Sequence, residues 1–371
     1  MNRHRTETVG PQASRSEIRD FLCANSDFEP IYRQNRRKAL VLARAAYVEM
    51  TTRCNLRCEG CYYFDGGYDK TPDVRSPAEW DAFFAGLAAR GTRFLYLVGA
   101  EPSMVPERLE IAARHVRRGL IGTNGIRKID RATPFKLHIS VWGAPELDTA
   151  YRGADAFSKA LANYAGEADR ALFVYTLSPR NIDDAERTLE RVRDAGLKMT
   201  FNMYSPTNTY RNRLAGIDTS TSEFFRRSSQ SDNLNWDAAS LTKARQRTAE
   251  LIDAFPDTLV YSRAYNDWIT DPAPRYELDE NGDAPHCLSR IGGSLSLTGP
   301  DLNPLKNSKC CTSDVDCSTC RLYSGGLASR LSLRAPDLAS RDAFTKWLEI
   351  CEHLFGIYIY SPDWCAELVD A

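Results

Sequence analysis

Tyr47-Val48-Glu49-Met50-Thr51-Thr52-Arg53-Cys54-Asn55-Leu56-Arg57-Cys58-Glu59-Gly60-Cys61-Tyr62 carries three cysteines spaced C-x3-C-x2-C directly after a short strand, Tyr47 to Met50. Three thiolates in one tight loop suit a four-iron cluster in which one iron is left without a protein ligand. A small molecule bearing both an amine and a carboxylate can chelate that open iron. A structural zinc is the competing reading, but it normally takes four ligands, often as paired C-x2-C units. No fourth Cys or His lies close in sequence to Cys54, Cys58 and Cys61.

Outward from this loop, short apolar strands alternate with amphipathic helices. Ser76-Pro77-Ala78-Glu79 opens a helix with an N-cap serine, a proline at the first helical position and a capping-box glutamate. Gly91 ends it. Further strands are expected at 93–98, 119–121, 136–141, 172–176 and 198–204, with helices at 106–118, near 154–164 and at 183–195. This alternation predicts parallel βαβ units with strands buried on both faces. The expected fold class is α/β, a partial (β/α)6 barrel over residues 47–204 with its ligand site at the C-terminal ends of the strands. The first cysteine loop lies at that end. Around the barrel we expect an N-terminal helical extension (1–46), a bridging region with a helix at 238–255 (205–285), a cysteine-rich segment (286–325) and a C-terminal helical segment (326–371).

Composition narrows the class. With 371 residues, 43% hydrophobic and 26% charged, the chain is an ordinary soluble globular one and long enough to bury a core without disulfides. A net charge of −1 speaks against a generic nucleic-acid binder. The basic stretch Arg33 to Arg44 is either a solvated helix face or a patch for nucleic acid or a redox partner. No apolar run reaches the roughly 20 residues that a bilayer span needs. The N-terminal stretch MNRHRTETVGPQASRSEIRD has no apolar core of a secretory signal, so a reducing, cytoplasmic location is expected. Eleven cysteines in such a compartment point to metal or catalysis rather than disulfides.

The likeness to a known family extends well past the cysteines. CNLRCEGC resembles the signature loop of the radical S-adenosylmethionine (SAM) superfamily, placed after strand one as that family requires. Val98-Gly99-Ala100-Glu101-Pro102 resembles its GGEP motif, with Ala100 in place of the second glycine. Thr123-Asn124-Gly125 is similar to its TNG turn. Ser140 and Arg152, twelve residues apart, resemble the pair that holds the SAM carboxylate in the peptide- and natural-product-modifying branch. The resemblance implies that Gly99, Ala100 and Glu101 meet the SAM amino group, with Thr123, Asn124, Ser140 and Arg152 as further cofactor contacts. Gly60 stands where the family usually has an aromatic near the adenine, and Tyr62 or Tyr63 is the expected substitute. Side-chain alternation puts His138 on the side of Ser140 and Asn202 on the side of Tyr204. These four and Tyr175 are candidate polar groups inside the barrel. Of them, His138, Tyr175, Asn202 and Tyr204 are read as substrate contacts, each with a satisfied core polar residue as its alternative.

The second cysteine group begins at Cys287, passes through Ile291 to Leu297 and a turn near Gly299-Pro300-Asp301, and ends in Cys310, Cys311, Cys317 and Cys320. A cysteine, a two-stranded hairpin and C-x5-C-x2-C would bring four thiolates around one metal. Taken alone, this leaves zinc and iron–sulfur equally open. The segment resembles the auxiliary-cluster domain of SPASM and twitch proteins, in the shorter twitch form because one complete ligand set is evident. The resemblance implies an auxiliary [4Fe–4S] cluster on Cys287, Cys311, Cys317 and Cys320, Cys311 being preferred over Cys310 for its spacing to Cys317. Cys23, Cys351 and Cys365 are left without a role.

The implied activity is reductive cleavage of SAM to a 5′-deoxyadenosyl radical, which removes a hydrogen atom from a natural-product or peptide substrate. A net oxidation, either dehydrogenation or cross-linking, would be assisted by the auxiliary cluster, with electrons from flavodoxin or ferredoxin. A redox-neutral epimerase with a cysteine hydrogen donor and a non-catalytic metal-binding protein are the alternatives. Only 46 residues precede strand one, too few for the leader-recognition domain of peptide-modifying relatives. This inclines the expectation towards a small metabolite or a peptide presented by a separate partner. Neither nucleic acid nor membrane is expected as a partner.

Overall fold

The computed structural model describes residues 8–42, 45–222, 224–291, 296–305, 309–310 and 312–359. One sheet holds seven strands: β1 (Ala45–Glu49), β2 (Phe94–Val98), β3 (Gly119–Thr123), β4 (Lys136–Val141), β5 (Ala171–Leu177), β6 (Lys198–Met203) and β7 (Ser296–Thr298). Their order is β6-β5-β4-β3-β2-β1-β7 and every pair is parallel. The helices are α1 (Arg15–Ala24), α2 (Glu29–Leu42), α3 (Tyr62–Asp65), α4 (Pro77–Ala89), α5 (Pro106–His115), α6 (Pro145–Arg152), α7 (Ala156–Tyr164), α8 (Ala185–Asp194), α9 (Asn208–Gly216), α10 (Ala238–Ala254), α11 (Arg263–Ile269), α12 (Tyr323–Leu331) and α13 (Arg341–Tyr358).

The strands form because they are apolar runs that bury both faces, and all of β5 is buried. Outward residues such as Val48, Leu97, Ile139 and Phe173 pack with Trp80 and Phe84 of α4, Leu109 of α5 and Leu189 of α8. Inward residues from all seven strands line a single cavity, from Tyr47 and Glu49 on β1 to Asn202 on β6 and Leu297 on β7. A flat sheet could not do this. The sheet is curled into a partial barrel with β6 and β7 as its open edges.

Local signals act as the sequence requires at α4. The Glu79 carboxylate accepts from Ser76 N at 2.8 Å, Ser76 Oγ accepts from Glu79 N at 3.3 Å, and Gly91 follows at φ +85°. Elsewhere the structure differs from expectation. The helix expected near 154–164 is a pair, α6 and α7, parted at Gly153 with φ +79°. The β3–β4 connection has no helix, so the third βα unit is incomplete. α9 and α11 lie in the bridging region, where only the helix at 238–255 is expected.

The largest departure is β7. The expected hairpin is there, since Leu305 N donates to Leu297 O at 3.0 Å and antiparallel bridges join Thr298 to Pro304 and Arg290 to Cys310. Part of it, at 292–295 and 306–308, lies outside the described residues. One arm of this hairpin docks in parallel on β1, Tyr47 opposite Leu297, and lengthens the barrel sheet.

α13 fills the inside of the curled sheet. Its Ile357 carbonyl meets His138 Nε2 at 2.8 Å, and its His353 Nε2 meets Thr200 Oγ1 at 3.3 Å. α1 and α2 pack on α13 through Phe21 and Phe28 against Phe344 and through Tyr32 near Trp347. Arg33, Arg36 and Arg37 of α2 are exposed. Among the described residues no helix is long and apolar enough to cross a membrane.

Candidate functional site

The first cysteine loop is tied to the ends of β2 and β3. Met50 N donates to Val98 O (2.8 Å), Ala100 N to Thr51 O (2.9 Å) and Glu101 N to Arg53 O (3.0 Å). Gly99 makes this close approach possible. Its φ is +121°, and a Cβ there would lie 2.9 Å from Thr51 O and 3.0 Å from Met50 N, so any other residue would force the two backbones apart. Asn124 Nδ2 reaches into the loop to Asn55 Oδ1 at 2.7 Å.

Cys54, Cys58 and Cys61 line a cavity of about 300 Å³ and form no disulfide. Burial pushes Cys54 up to about 11 and Cys61 to about 12, and it raises Cys58 as well. Buried thiols become thiolates when a metal supplies positive charge. Arg152, 3% exposed, stands beside Cys58. Burial opposes its charge, but Asp148 and Cys58 outweigh that and raise its pKa. Its Nη1 donates to Ser140 O (2.6 Å) and Asp148 Oδ1 (3.2 Å), while its buried Nε has no partner. Asp148, fully buried, also accepts from Trp142 N (2.9 Å) and Phe157 N (3.1 Å).

Glu101 is 1% exposed and accepts three bonds, from Thr123 Oγ1 (2.6 Å), Asn124 N (2.7 Å) and Ser103 N (3.0 Å). An ionised carboxylate has about four acceptor positions, so one is left for an incoming ammonium. Gly99, Ala100, Thr123, Asn124, Ser140 and Tyr62 line the same cavity, Tyr62 at its open side with 39% exposure. Tyr63 is buried and hydrogen-bonded at Thr51 O (3.3 Å). At Gly60 (φ +63°) the Tyr204 hydroxyl fills the space, 2.2 Å from where a Cβ would be, and donates to Gly60 O at 3.0 Å. The aromatic ring beside position 60 therefore comes from the end of β6.

His138, Asn202 and Tyr204 line the cavity, as the alternation rule predicts. Tyr175 does not. It pairs laterally with Val141 on the outer face, packs with Phe201, and donates to Asn181 O at 2.7 Å. Val174, lateral neighbour of Ser140, and Thr176 hold the inward positions on β5. Tyr175 is thus a satisfied core residue.

Cys287, Cys310, Cys317 and Cys320 line a second cavity together with Tyr276, Arg290, Lys309 and Gly325. Cys310 is the described member of the Cys310–Cys311 pair, and it lines this cavity. Cys311 lies outside the described residues, as does Cys365. Burial raises Cys320 and Cys287, and the buried Tyr276 hydroxyl stands near Cys287. Thr312, Val315, Leu322 and Ser324 border both cavities, so a single layer of residues separates the two cysteine groups.

Both sites fit iron–sulfur groups. Each gathers free thiols around a cavity, and each sets a buried donor side chain beside a sulfur, Arg152 at Cys58 and Tyr276 at Cys287. Among the described residues no three His, Cys, Asp or Glu side chains converge on one metal-ion position.

Residues 48–219 match the family model described as the radical SAM superfamily. The Fe-coproporphyrin III synthase of Methanosarcina barkeri (strain Fusaro / DSM 804) is 30% identical over 150 residues, 36% of this chain and 37% of that protein. The chain thus matches little more than a third of the length of this curated relative. Among solved structures, Streptococcus suis SuiB bound to S-adenosylmethionine is 12% identical with a TM-score of 0.49, covering 84% of this chain and 72% of that one. Native anSMEcpe with bound AdoMet is 12% identical with a TM-score of 0.47, covering 88% and 100%. Overlays at this level carry no argument about chemistry.

Several residues around the cavity escape the sequence reading. Tyr47 and Glu49 point inward from β1, and the alternation rule applied to that strand would have found them. Tyr96 on β2 follows from the same rule. Tyr323 and Ser324 arrive from α12 and Trp142 from the end of β4. Glu59 is a buried staple, accepting from Arg226 N (2.7 Å), Arg227 N (2.8 Å) and Ser228 Oγ.

Proposed function

We propose that this protein is a radical SAM enzyme of the twitch type that takes a hydrogen atom from a natural-product or peptide substrate and carries out a net oxidation assisted by an auxiliary [4Fe–4S] cluster. One observation carries the reading: two groups of free thiols line adjoining cavities that share the wall Thr312, Val315, Leu322 and Ser324. Cys54, Cys58 and Cys61 would hold the first cluster, and Cys287, Cys317, Cys320 and either Cys310 or Cys311 the second. SAM bound at the first cluster would supply, on receiving one electron from a flavodoxin- or ferredoxin-like donor, a carbon-centred radical.

The protein's own contribution is orientation and exclusion of water. Arg152, fixed by Asp148, offers its unpartnered Nε to a carboxylate, and Glu101 offers its remaining acceptor position to an ammonium. Opposite charges at the two ends of an amino acid give charge-assisted bonds that set its direction. The curled sheet and the start of α12 wall the cavity, which helps to keep water from a reactive species. Among the described thiols outside the two groups, Cys23 is exposed and Cys351 is buried in the core, and neither lines the barrel cavity. This supports oxidation over an epimerase with a cysteine donor. The five-part division of the chain is retained in this proposal, with the 286–325 segment lending β7 to the barrel.

Anaerobically reconstituted protein supplied with SAM and a strong reductant should yield 5′-deoxyadenosine, and the Cys58→Ala variant should yield none. Product formed in D2O should gain no deuterium at carbon, whereas an epimerase would add one. Undiminished 5′-deoxyadenosine from Cys58→Ala would overturn the assignment.

A further inference from the structure

Among the described residues six acidic side chains are buried: Glu49, Glu59, Asp65, Glu101, Asp148 and Asp337. Five of them take two or more donors. Glu59, Glu101 and Asp148 accept as described above. Asp65 accepts from Thr207 Oγ1 (2.9 Å) and Arg213 Nη1 (3.2 Å), and Asp337 from Arg330 Nη2 (2.9 Å) and Arg334 N (3.0 Å).

Glu49 is the exception. It is 3% exposed and lines the barrel cavity, yet its single hydrogen-bond contact among the described residues is the Tyr63 hydroxyl at 3.5 Å. That hydroxyl has one proton and a nearer acceptor, Thr51 O at 3.3 Å. Among the described residues no Lys, Arg or His forms an ion pair with Glu49, and the one arginine that lines the cavity, Arg152, is engaged by Asp148. A buried carboxyl without donors is costly unless something else supplies them. The surroundings suit a cation. Tyr47, Tyr62, Tyr63, Tyr96 and Tyr323 line the same cavity, and aromatic faces attract positive charge. Gly122, between Val98 and His138 in the sheet, leaves the space above β3 open.

We infer that Glu49 is a recognition site for an organic cation, so that the substrate carries a primary amine or a guanidinium at the part inserted into the barrel. The inference rests on the reading of this cavity as the substrate chamber, and it names the substrate's chemistry. Burial holds Glu49 up at about 8, with Tyr63 opposing and Asp301, from the turn after β7, adding to it. With no cation beside it the carboxyl favours its protonated form, and an arriving cation replaces that proton.

The test is a binding equilibrium and needs no turnover. N-acetyl-lysine amide, N-acetyl-arginine amide and the neutral N-acetyl-norleucine and N-acetyl-citrulline amides are titrated into reconstituted full-length protein, with ligand-observed NMR as readout. The cationic probes should bind at least tenfold tighter than the neutral ones. Glu49→Gln should reduce that preference to less than twofold, and Glu49→Asp should keep part of it. SAM and S-adenosylhomocysteine serve as a second arm, since a sulfonium is also a cation. No preference in the native protein, or an intact preference in Glu49→Gln, overturns the inference. So does a variant that loses only its preference for SAM over S-adenosylhomocysteine. Failure here would leave iron binding and 5′-deoxyadenosine formation unaffected, so it is separable from failure of the proposed reaction.

Discussion

Asp148→Asn tests whether the buried pair with Arg152 holds the site together. The carboxylate is fully buried and serves three donors, Trp142 N, Phe157 N and Arg152 Nη1. Asparagine keeps the shape but has one acceptor oxygen, so it sets its own N–H groups against a donor and leaves the guanidinium without a counter-charge. Removing one partner of such a pair costs about 3–5 kcal/mol. Unfolding entropy of about 2.1 cal/mol/K per residue gives, for 371 residues, about 0.8 kcal/mol/K, so a loss of about 4 kcal/mol lowers Tm by about 5 °C. Differential scanning fluorimetry of the metal-free proteins measures this directly. A fall of less than about 1 °C would refute the reasoning, because it would mean that Arg152 finds other partners without strain.

Gly99→Ala should lower stability by about 1–3 kcal/mol, read from urea midpoints, since φ +121° and contacts of 2.9 and 3.0 Å to backbone admit no Cβ. It should also reduce iron at the first site. Glu49 gives a pH dependence: its folded pKa of about 8 lies above the ordinary 4.5, so its contribution is complete below the unfolded value and is lost as pH rises through about 8. At about 1.4 kcal/mol per pH unit the loss is at most about 5 kcal/mol. Native protein should therefore weaken from pH 6 to 9 more than Glu49→Gln, and parallel curves would exclude the effect. Iron analysis should find about eight irons per chain, and about four in either Cys58→Ala or Cys320→Ala. Four irons and one zinc in the native protein would remove the auxiliary cluster.

Much of the barrel was legible because its strands are buried apolar runs bounded by turns; the cysteine loop could be read from spacing, while Gly99, Glu101 and the Ser140–Arg152 pair came only from the family resemblance. Tyr175 was misread for a definite reason. Alternation gives two faces but not which one turns inward, and the β4–β5 register, Val141 opposite Tyr175, decides it. Non-local pairing hid the rest. Tyr323 reaches His138 across 185 residues at 3.1 Å, and β7 finds β1 from 250 residues away.

The docking of β7 on β1 ties the barrel's solubility to the cysteine-rich hairpin. Without that arm, Ala46 to Val48 would present a row of unsatisfied amides and carbonyls, the kind of rim that recruits a strand from another molecule. A shortened version ending before residue 286 should therefore self-associate rather than yield a smaller, tidy barrel. Oxidative damage at the hairpin's thiols, by loosening that arm, should do the same to the full-length protein.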